Sequence, residues 1–239
     1  VYHIILELPY YLAHPLNIFK VWQGGLAIHG AIIAGIITIW VFAKKLPSIV
    51  VPVPPTAGGI QKSLFWLLAA IIAPGLALAQ AIGRWGNYFN QELFGKPTDL
   101  PWGIPIDIIN RPIEYISAEY FHPTFLYESI GNLIIFIILI SLHVWIKKKQ
   151  KQNYITCHLP ARNALIYKAG GSLVTYYLIL YSLLRFSLEF IRIDETPVVA
   201  GLRWPQVASL IIIIASVIIL LKNKKSYANI NNSSRNITI

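Results

Sequence analysis

LFWLLAAIIAPGLALAQAIGRWGNYFNQELFG, residues 64–95, changes character in its middle. Leu64–Ile82 carries no charge, and a bilayer core calls for about 20 apolar residues per spanning helix. Arg84, Asn87, Asn90, Gln91 and Glu92 then follow within nine positions. A span that ends in a dense polar cluster fixes both the environment of the chain and the place where its chemistry is to be sought. Working outward, four more segments have the length and apolarity of spans: Gly24–Ala43, Pro123–Ile146, Ser172–Ile191 and Pro205–Leu221.

Composition agrees. The 239 residues are 56% hydrophobic and only 13% charged, against about 25% charged in soluble domains. A soluble helical protein does not need so many long apolar runs. The expectation is an all-α polytopic integral membrane protein with about five transmembrane helices in this chain. A single transmembrane domain over residues 1–221 precedes a polar cytoplasmic tail, 222–239.

A net charge of +10 could suggest nucleic acid, but its distribution argues otherwise. Lys44, Lys45, Lys62, the lysines of 147–151, Arg162, Lys168, Lys222, Lys224 and Lys225 fall on one side of an alternating five-span layout. The ten acidic residues, Glu7 to Glu195, fall on or near the other. Basic loops stay cytoplasmic. Residues 1–23, 84–122 and 192–204 are therefore outside, and 44–63, 147–171 and the tail inside. The single cysteine, Cys157, allows no internal disulfide and no multi-cysteine metal site.

Ala73, Ala77 and Ala81 repeat every fourth residue, as do Ala31 and Gly35, a spacing that lets helices approach closely in lipid. Pro74 is expected to kink its span, Gly170-Gly171 to give the fourth span a flexible entry, and Asn229–Ile239 to be disordered.

With topology assigned, polar groups from four spans meet at one depth near the outer surface: His29; Arg84, Asn87, Asn90 and Glu92; His122, Tyr127 and Glu128; Arg185, Glu189 and Arg192. Each has a plain alternative. Arg84 could snorkel to headgroups, His29 could be a hydrogen-bonded core residue, Glu128 could neutralise an arginine, and Asn87 and Asn90 could join or cap helices. Their convergence favours a site, because charge inside a span costs about 2.5–3.5 kcal/mol on insertion scales. Tyr181, Arg185, Glu189 and Arg192 share about 80° of one helical face. Arginine forks suit phosphate. Arg84, Arg185 and Arg192 together therefore point to an anionic phosphate ligand, with a phospholipid headgroup the nearest source.

These residues resemble the signatures of the bacterial prolipoprotein diacylglyceryl transferase family. GRWGNYFNQELFG (83–95) is similar to its Gly-Arg-x-Gly-Asn-[Phe/Tyr]-x-Asn-x-Glu-x-x-Gly pattern. VWQGGLAIHGAIIAG (21–35), HPTFLYES (122–129) and YSLLRFSLEFIR (181–192) resemble its other segments, in order. Gly30-Ala31 stands where relatives have Gly-Gly, and Ala70 where some carry an acid. The resemblance implies transfer of the diacylglyceryl group of phosphatidylglycerol to the lipobox cysteine of prolipoprotein signal peptides, forming a thioether. It places the site at the outer face of the bacterial cytoplasmic membrane. It implies His29, Arg84, Asn87, Glu92, Tyr181, Arg185 and Glu189 as the functional set.

The chemistry suggests roles. Arg84, Arg185 and Asn87 would meet the leaving phosphate, joined by Arg192 from the same stripe. His29, with an ordinary imidazole pKa of about 6.5, is the candidate thiol base, and Tyr181 would donate to phosphate or orient the thiol. Glu92 and Glu189 would hold arginines. No metal-ligand spacing is visible, and neither metal nor cofactor is expected. The alternative is a transporter of lipid or anionic solute. Relatives in the family carry more hydrophobic sequence before the equivalent of Val1, so the chain is expected to be the C-terminal part of a seven-helix protein.

The layout predicts that single cysteines at 96–120 react with impermeant reagents in intact cells, whereas those at 44–63 and 147–171 are shielded. Labelling of 147–171 from outside would reverse the orientation.

Overall fold

The computed structural model describes residues 12, 28–45, 59–153, 159–194 and 196–235. Among the described residues there are five long helices: α1 Ile28–Lys45, α2 Gly59–Phe89, α3 Thr124–Asn153, α4 Leu159–Leu188 and α5 Trp204–Arg235. Two short hairpins stand between them: β1 Ile104–Pro105 with β2 Tyr120–Phe121, and β3 Val198–Val199 with β4 Leu202–Arg203. Among the described residues, four stretches are long and apolar enough to cross a membrane: Leu64–Phe89, Thr124–Lys148, Gly171–Leu188 and Trp204–Lys222. This is an all-α polytopic membrane protein.

The chain divides into two compact units, Val1–Phe65 and Trp66–Ile239. In the first, α1 holds the earliest expected span from Ile28 onward; residues 24–27 lie outside the described residues. It closes on Lys44 and Lys45, cations suited to the negative end of a helix. The Lys44 ammonium lies 3.6 Å from the centre of the Trp40 ring.

In the second unit, α2, α3 and α4 share a core. Ala70, Ala73, Ala77 and Ala81 form a buried stripe on α2. The first three cluster with Ile135 and Leu139 of α3 and with Leu173 and Tyr177 of α4. Small side chains bring the backbones close, and buried polar groups then bond between helices. Ser129 Oγ donates to Ala81 O at 2.8 Å, and Tyr177 Oη to Gln80 Oε1 at 3.0 Å. Gly131 serves the same contact, since a Cβ there would lie 2.6 Å from the Leu184 methyls. Ile71, Ile72, Leu76 and Ile82 face outward, as lipid-facing residues should. Helix α5 packs along α4.

Pro74 lies inside α2, which is helical on both sides of it. Two expectations change. Gly170-Gly171 lies inside α4 rather than at a flexible entry, because a helix anchored on both sides can absorb about 1 kcal/mol per glycine. The tail is helical to Arg235, and only 236–239 lie outside the described residues. A helix nucleated in a span extends without a new nucleation cost, which overrides the weak helix preference of Asn and Ser.

The connection from α2 to α3 is folded. Gln91 and Leu93 adopt left-handed backbone, φ 49° and 56°, and turn the chain back sharply after Phe89. Phe94, Ile106 and Phe121 form a small core beneath β1–β2. Gly95 then passes between the start of α3 and the end of α4. Its N–H donates to His122 O and that of Lys96 to Ile191 O, both at 2.9 Å. A Cβ on Gly95 would meet His122 Cβ and Ile191 Cγ2 at 2.8 Å and Thr124 Cγ2 at 2.9 Å. The last glycine of the 83–95 signature is thus required by close approach. Nearby, the exposed Trp85 and Tyr88 rings pack against Phe125, Trp85 edge-on and Tyr88 tilted, and the exposed Phe89 ring packs edge-on against Tyr88.

Gly95→Ala is expected to destabilise by about 1–3 kcal/mol, the usual cost of overpacking, seen as a lower thermal midpoint in detergent. Gly75→Ala is the control: a Cβ there meets nothing within 4 Å, and its midpoint should not fall.

Candidate functional site

Arg84 sits at the outer end of α2, on the rim of the alanine-lined interface. Its Nη2 is 2.7 Å from Glu128 Oε1, and its Nη1 donates to Asn87 Oδ1 at 3.3 Å. Asn87 lies one turn further along the helix. Its amide nitrogen donates to Glu92 Oε1 at 2.9 Å, and Asn90 donates to the same oxygen at 3.2 Å. The left-handed turn at Gln91 and Leu93 brings Glu92 back over the helix end. Glu92 therefore takes asparagine donors rather than an arginine.

Glu128, one turn into α3, is 2% exposed. Its second oxygen is 3.8 Å from Arg192 Nη1. Glu189 is 1% exposed and lies just past the end of α4. One of its oxygens is 3.0 Å from Arg185 Nη2 and the other 3.1 Å from Arg203 Nε. Glu128 Oε1 and both Glu189 oxygens are met by charge at ion-pair distance without an aligned hydrogen bond. Arg192, buried, bonds Asp194 Oδ1 at 2.7 Å. The chain keeps helical hydrogen bonds through this turn, Glu189 N–H to Arg185 O and Arg192 N–H to Leu188 O. The stripe expected on one face thus continues beyond the helix itself.

Tyr181 stands one turn inward from Arg185, beside Arg84 and near Glu128, stacked on Tyr177 at 6.0 Å between ring centres. His122 flanks the layer. Trp102 Nε1 donates to Tyr127 Oη at 2.8 Å, and His122 Nδ1 lies 3.1 Å from the same oxygen. His29 lies in the first turn of α1, and its side chain is outside the described residues.

The fold thus joins Arg84, Asn87, Glu128, Tyr181, Arg185, Glu189 and Arg192 in one layer, with Glu92 held at its edge. The sequence reading singled out no role for Arg203. Its available signal was position: an arginine in an outer loop runs against the cytoplasmic preference of basic residues. Glu128 was visible, but its service to two arginines depends on tertiary contact.

Two donors in this layer are left over. Arg84 Nε and Arg185 Nη1 are buried and have no hydrogen-bond partner among the described residues. Buried donors on charged groups are costly when unpaired. Two of them, from different helices of one layer, suit an anion with more than one acceptor oxygen. The ion-paired groups carry four arginines against three carboxylates, one positive charge in excess.

Fold and site define a polytopic membrane protein with an arginine-rich layer suited to an anion. A sequence model of prolipoprotein diacylglyceryl transferase matches residues 1–222, and the chain belongs to that family. A protein of Synechocystis sp. named phosphatidylglycerol–prolipoprotein diacylglyceryl transferase is 42% identical over 216 residues, 89% of this chain and 64% of its own length. One of the same name from Nostoc sp. is 40% identical over 210 residues, 88% of this chain and 63% of its own length. The chain spans less than two thirds of the length of these relatives. No solved structure matches it.

Glu128→Gln should be among the most destabilising single changes in the layer. It leaves Arg84 and Arg192 without their shared carboxylate, and breaking a buried pair costs about 3–5 kcal/mol. Protein yield and the onset of heat precipitation are the measures. Asp194→Asn, where the carboxylate is partly exposed, should cost less.

Proposed function

We propose that the protein transfers the diacylglyceryl group of phosphatidylglycerol to the lipobox cysteine of a prolipoprotein signal peptide, at the outer face of the bacterial cytoplasmic membrane. The bond between the glyceryl carbon and the phosphate-ester oxygen breaks, a carbon–sulfur bond forms, the thiol proton goes to a base, and glycerol phosphate leaves. The observation that carries this reading is the pair of buried, unpartnered guanidinium donors on Arg84 and Arg185. Family membership and the names of its relatives point to the same chemistry.

The geometry suggests how such a layer would act. The leaving phosphate gains negative charge as the carbon–oxygen bond breaks. Donors already fixed in a dry site meet that charge without reorganising. Arg84 is held by Glu128, and Arg185 by Glu189, each leaving an N–H to spare. Asn87 adds a neutral group beside Arg84, and the Tyr181 hydroxyl lies within the same cluster. Arg192, paired with Glu128 and Asp194, contributes mainly positive potential. His29 is assigned as base on its intrinsic chemistry and on the family resemblance. A free thiol titrates at about 8.5, so a base raises the thiolate fraction at neutral pH.

The test is chemical. Purified protein with phosphatidylglycerol and a lipobox peptide should give the diacylglyceryl thioether by mass spectrometry; a transporter leaves the peptide mass unchanged. Arg84→Lys and Arg185→Lys, which keep charge but lose the fork, should each lower kcat by about 10²–10³, the usual loss for one such donor, while accumulating normally. Near-normal turnover in both would remove the arginines from the reaction. His29→Gln should lower the rate without abolishing lipid binding, and a rate equal to wild type from pH 6 to 9 would exclude His29 as base.

A further inference from the structure

Arg203 makes more contacts than any role so far given to it requires. It stands at the end of β4, directly before α5, where its own N–H donates to Gln206 Oε1 at 3.0 Å. That bond is one half of a capping box, and it ties the Arg203 backbone to the first turn of α5. The side chain crosses to the end of α4. Nη1 donates to Glu189 O at 3.1 Å and Arg192 O at 2.6 Å, Nη2 donates to Asp194 O, and Nε donates to Thr196 Oγ1 at 2.8 Å. Carbonyls at a helix C-terminus carry partial negative charge and lack intrahelical partners. A guanidinium that collects them welds two spans together.

A weld alone does not account for the approach of Nε to Glu189 Oε1. The Glu189 carboxylate is fully buried and has two arginine partners, one on each oxygen. Were Arg185 the only partner, a buried carboxylate four residues away on the same turn would compensate its charge completely. Arg203 takes the far oxygen and shares that negative charge. It also decides the charge balance of the ion-paired cluster, since without it three arginines face three carboxylates, Glu92 being held apart by asparagines.

We propose that Arg203 is a positioning residue for anion binding: it neutralises Glu189 from behind, so that Arg185 keeps binding capacity and the ion-paired cluster keeps one more arginine than carboxylate. The inference rests on the phosphate reading of Arg84 and Arg185, and it assigns a discriminating task to a residue that lies outside the Tyr181–Arg192 stripe.

The test uses the full chain in a neutral detergent, with dioctanoyl phosphatidylglycerol as the probe. Its dissociation constant is measured by calorimetry, and KM and kcat with the lipobox peptide by mass spectrometry. Arg203→Gln should raise Kd and KM for the lipid about tenfold and change kcat at saturating lipid by less than about threefold. A merely structural role predicts a lower thermal midpoint and a smaller active fraction with KM unchanged, and that result overturns the proposal. Asp194→Asn supplies a second readout should Arg203→Gln fail to accumulate. Removing one carboxylate raises the excess charge, so KM should fall severalfold, a direction that structural damage does not produce. An unchanged or higher KM in Asp194→Asn overturns the charge account. The two readings fail separately. A wild-type chain that neither binds the lipid nor forms thioether removes the phosphate reading and this one with it. A wild-type chain that does both, beside an Arg203→Gln chain with normal KM, removes only the role of Arg203.

Discussion

Two carboxylates, Glu128 and Glu189, have been taken almost wholly out of water, and the outer layer of the protein is arranged around that fact. A bare carboxylate at this depth would cost several kcal/mol even after relaxation. Each is therefore shared by two guanidiniums drawn from different parts of the chain: Arg84 and Arg192 at Glu128, Arg185 and Arg203 at Glu189. These pairs join the ends of α2, α3 and α4 to the hairpin that leads into α5. Replacing such pairs by apolar groups would often stabilise a protein, so their retention is better explained by what they hold than by the stability they give. What they hold includes Arg84 and Arg185, each with one buried guanidinium N–H that has no partner among the described residues.

The fold was legible wherever the bilayer dictates it. Span lengths follow from the thickness of the hydrocarbon core, and four of the five apolar segments reappear with ends shifted by a few residues. The alanine spacing on α2 anticipated which face is buried, because close backbone approach is the main source of helix contact in lipid. What lies beyond the spans was less readable. Gly170-Gly171 and the Asn/Ser tail suggested breaks, yet helices begun in the membrane continue through both. The left-handed turn at Gln91 and Leu93 has no glycine to announce it.

The site divides along the same line. Arg84, Asn87, Tyr181, Arg185 and Glu189 could be gathered from depth and helical phase alone, since rise per residue converts sequence position into height. Partner choice could not. Glu92 was expected beside an arginine and takes two asparagines, because the chain reverses at Gln91 and lays it over the end of α2. Arg203 is adjacent in sequence to an ordinary span, and only the β3–β4 hairpin carries it back to Glu189. That hairpin turns through Ala200 and Gly201, both at positive φ, a two-residue geometry that alanine adopts reluctantly.

The exposed rings of Trp85, Tyr88 and Phe89, clustered with Phe125 through Trp85 and Tyr88, bear on hydrophobic mismatch. Aromatic side chains prefer the level of the headgroups, and Trp85 is the residue after Arg84. The rings therefore fix the height of the arginines against the outer surface. The opposite ends of the spans carry Lys147, Lys148 and Lys222 on flexible stems, which reach to the other surface over a range of depths. A bilayer that thickens or thins is accommodated by those lysines and by helix tilt. The arginine layer then keeps its depth relative to this aromatic rim as the acyl chains change in length.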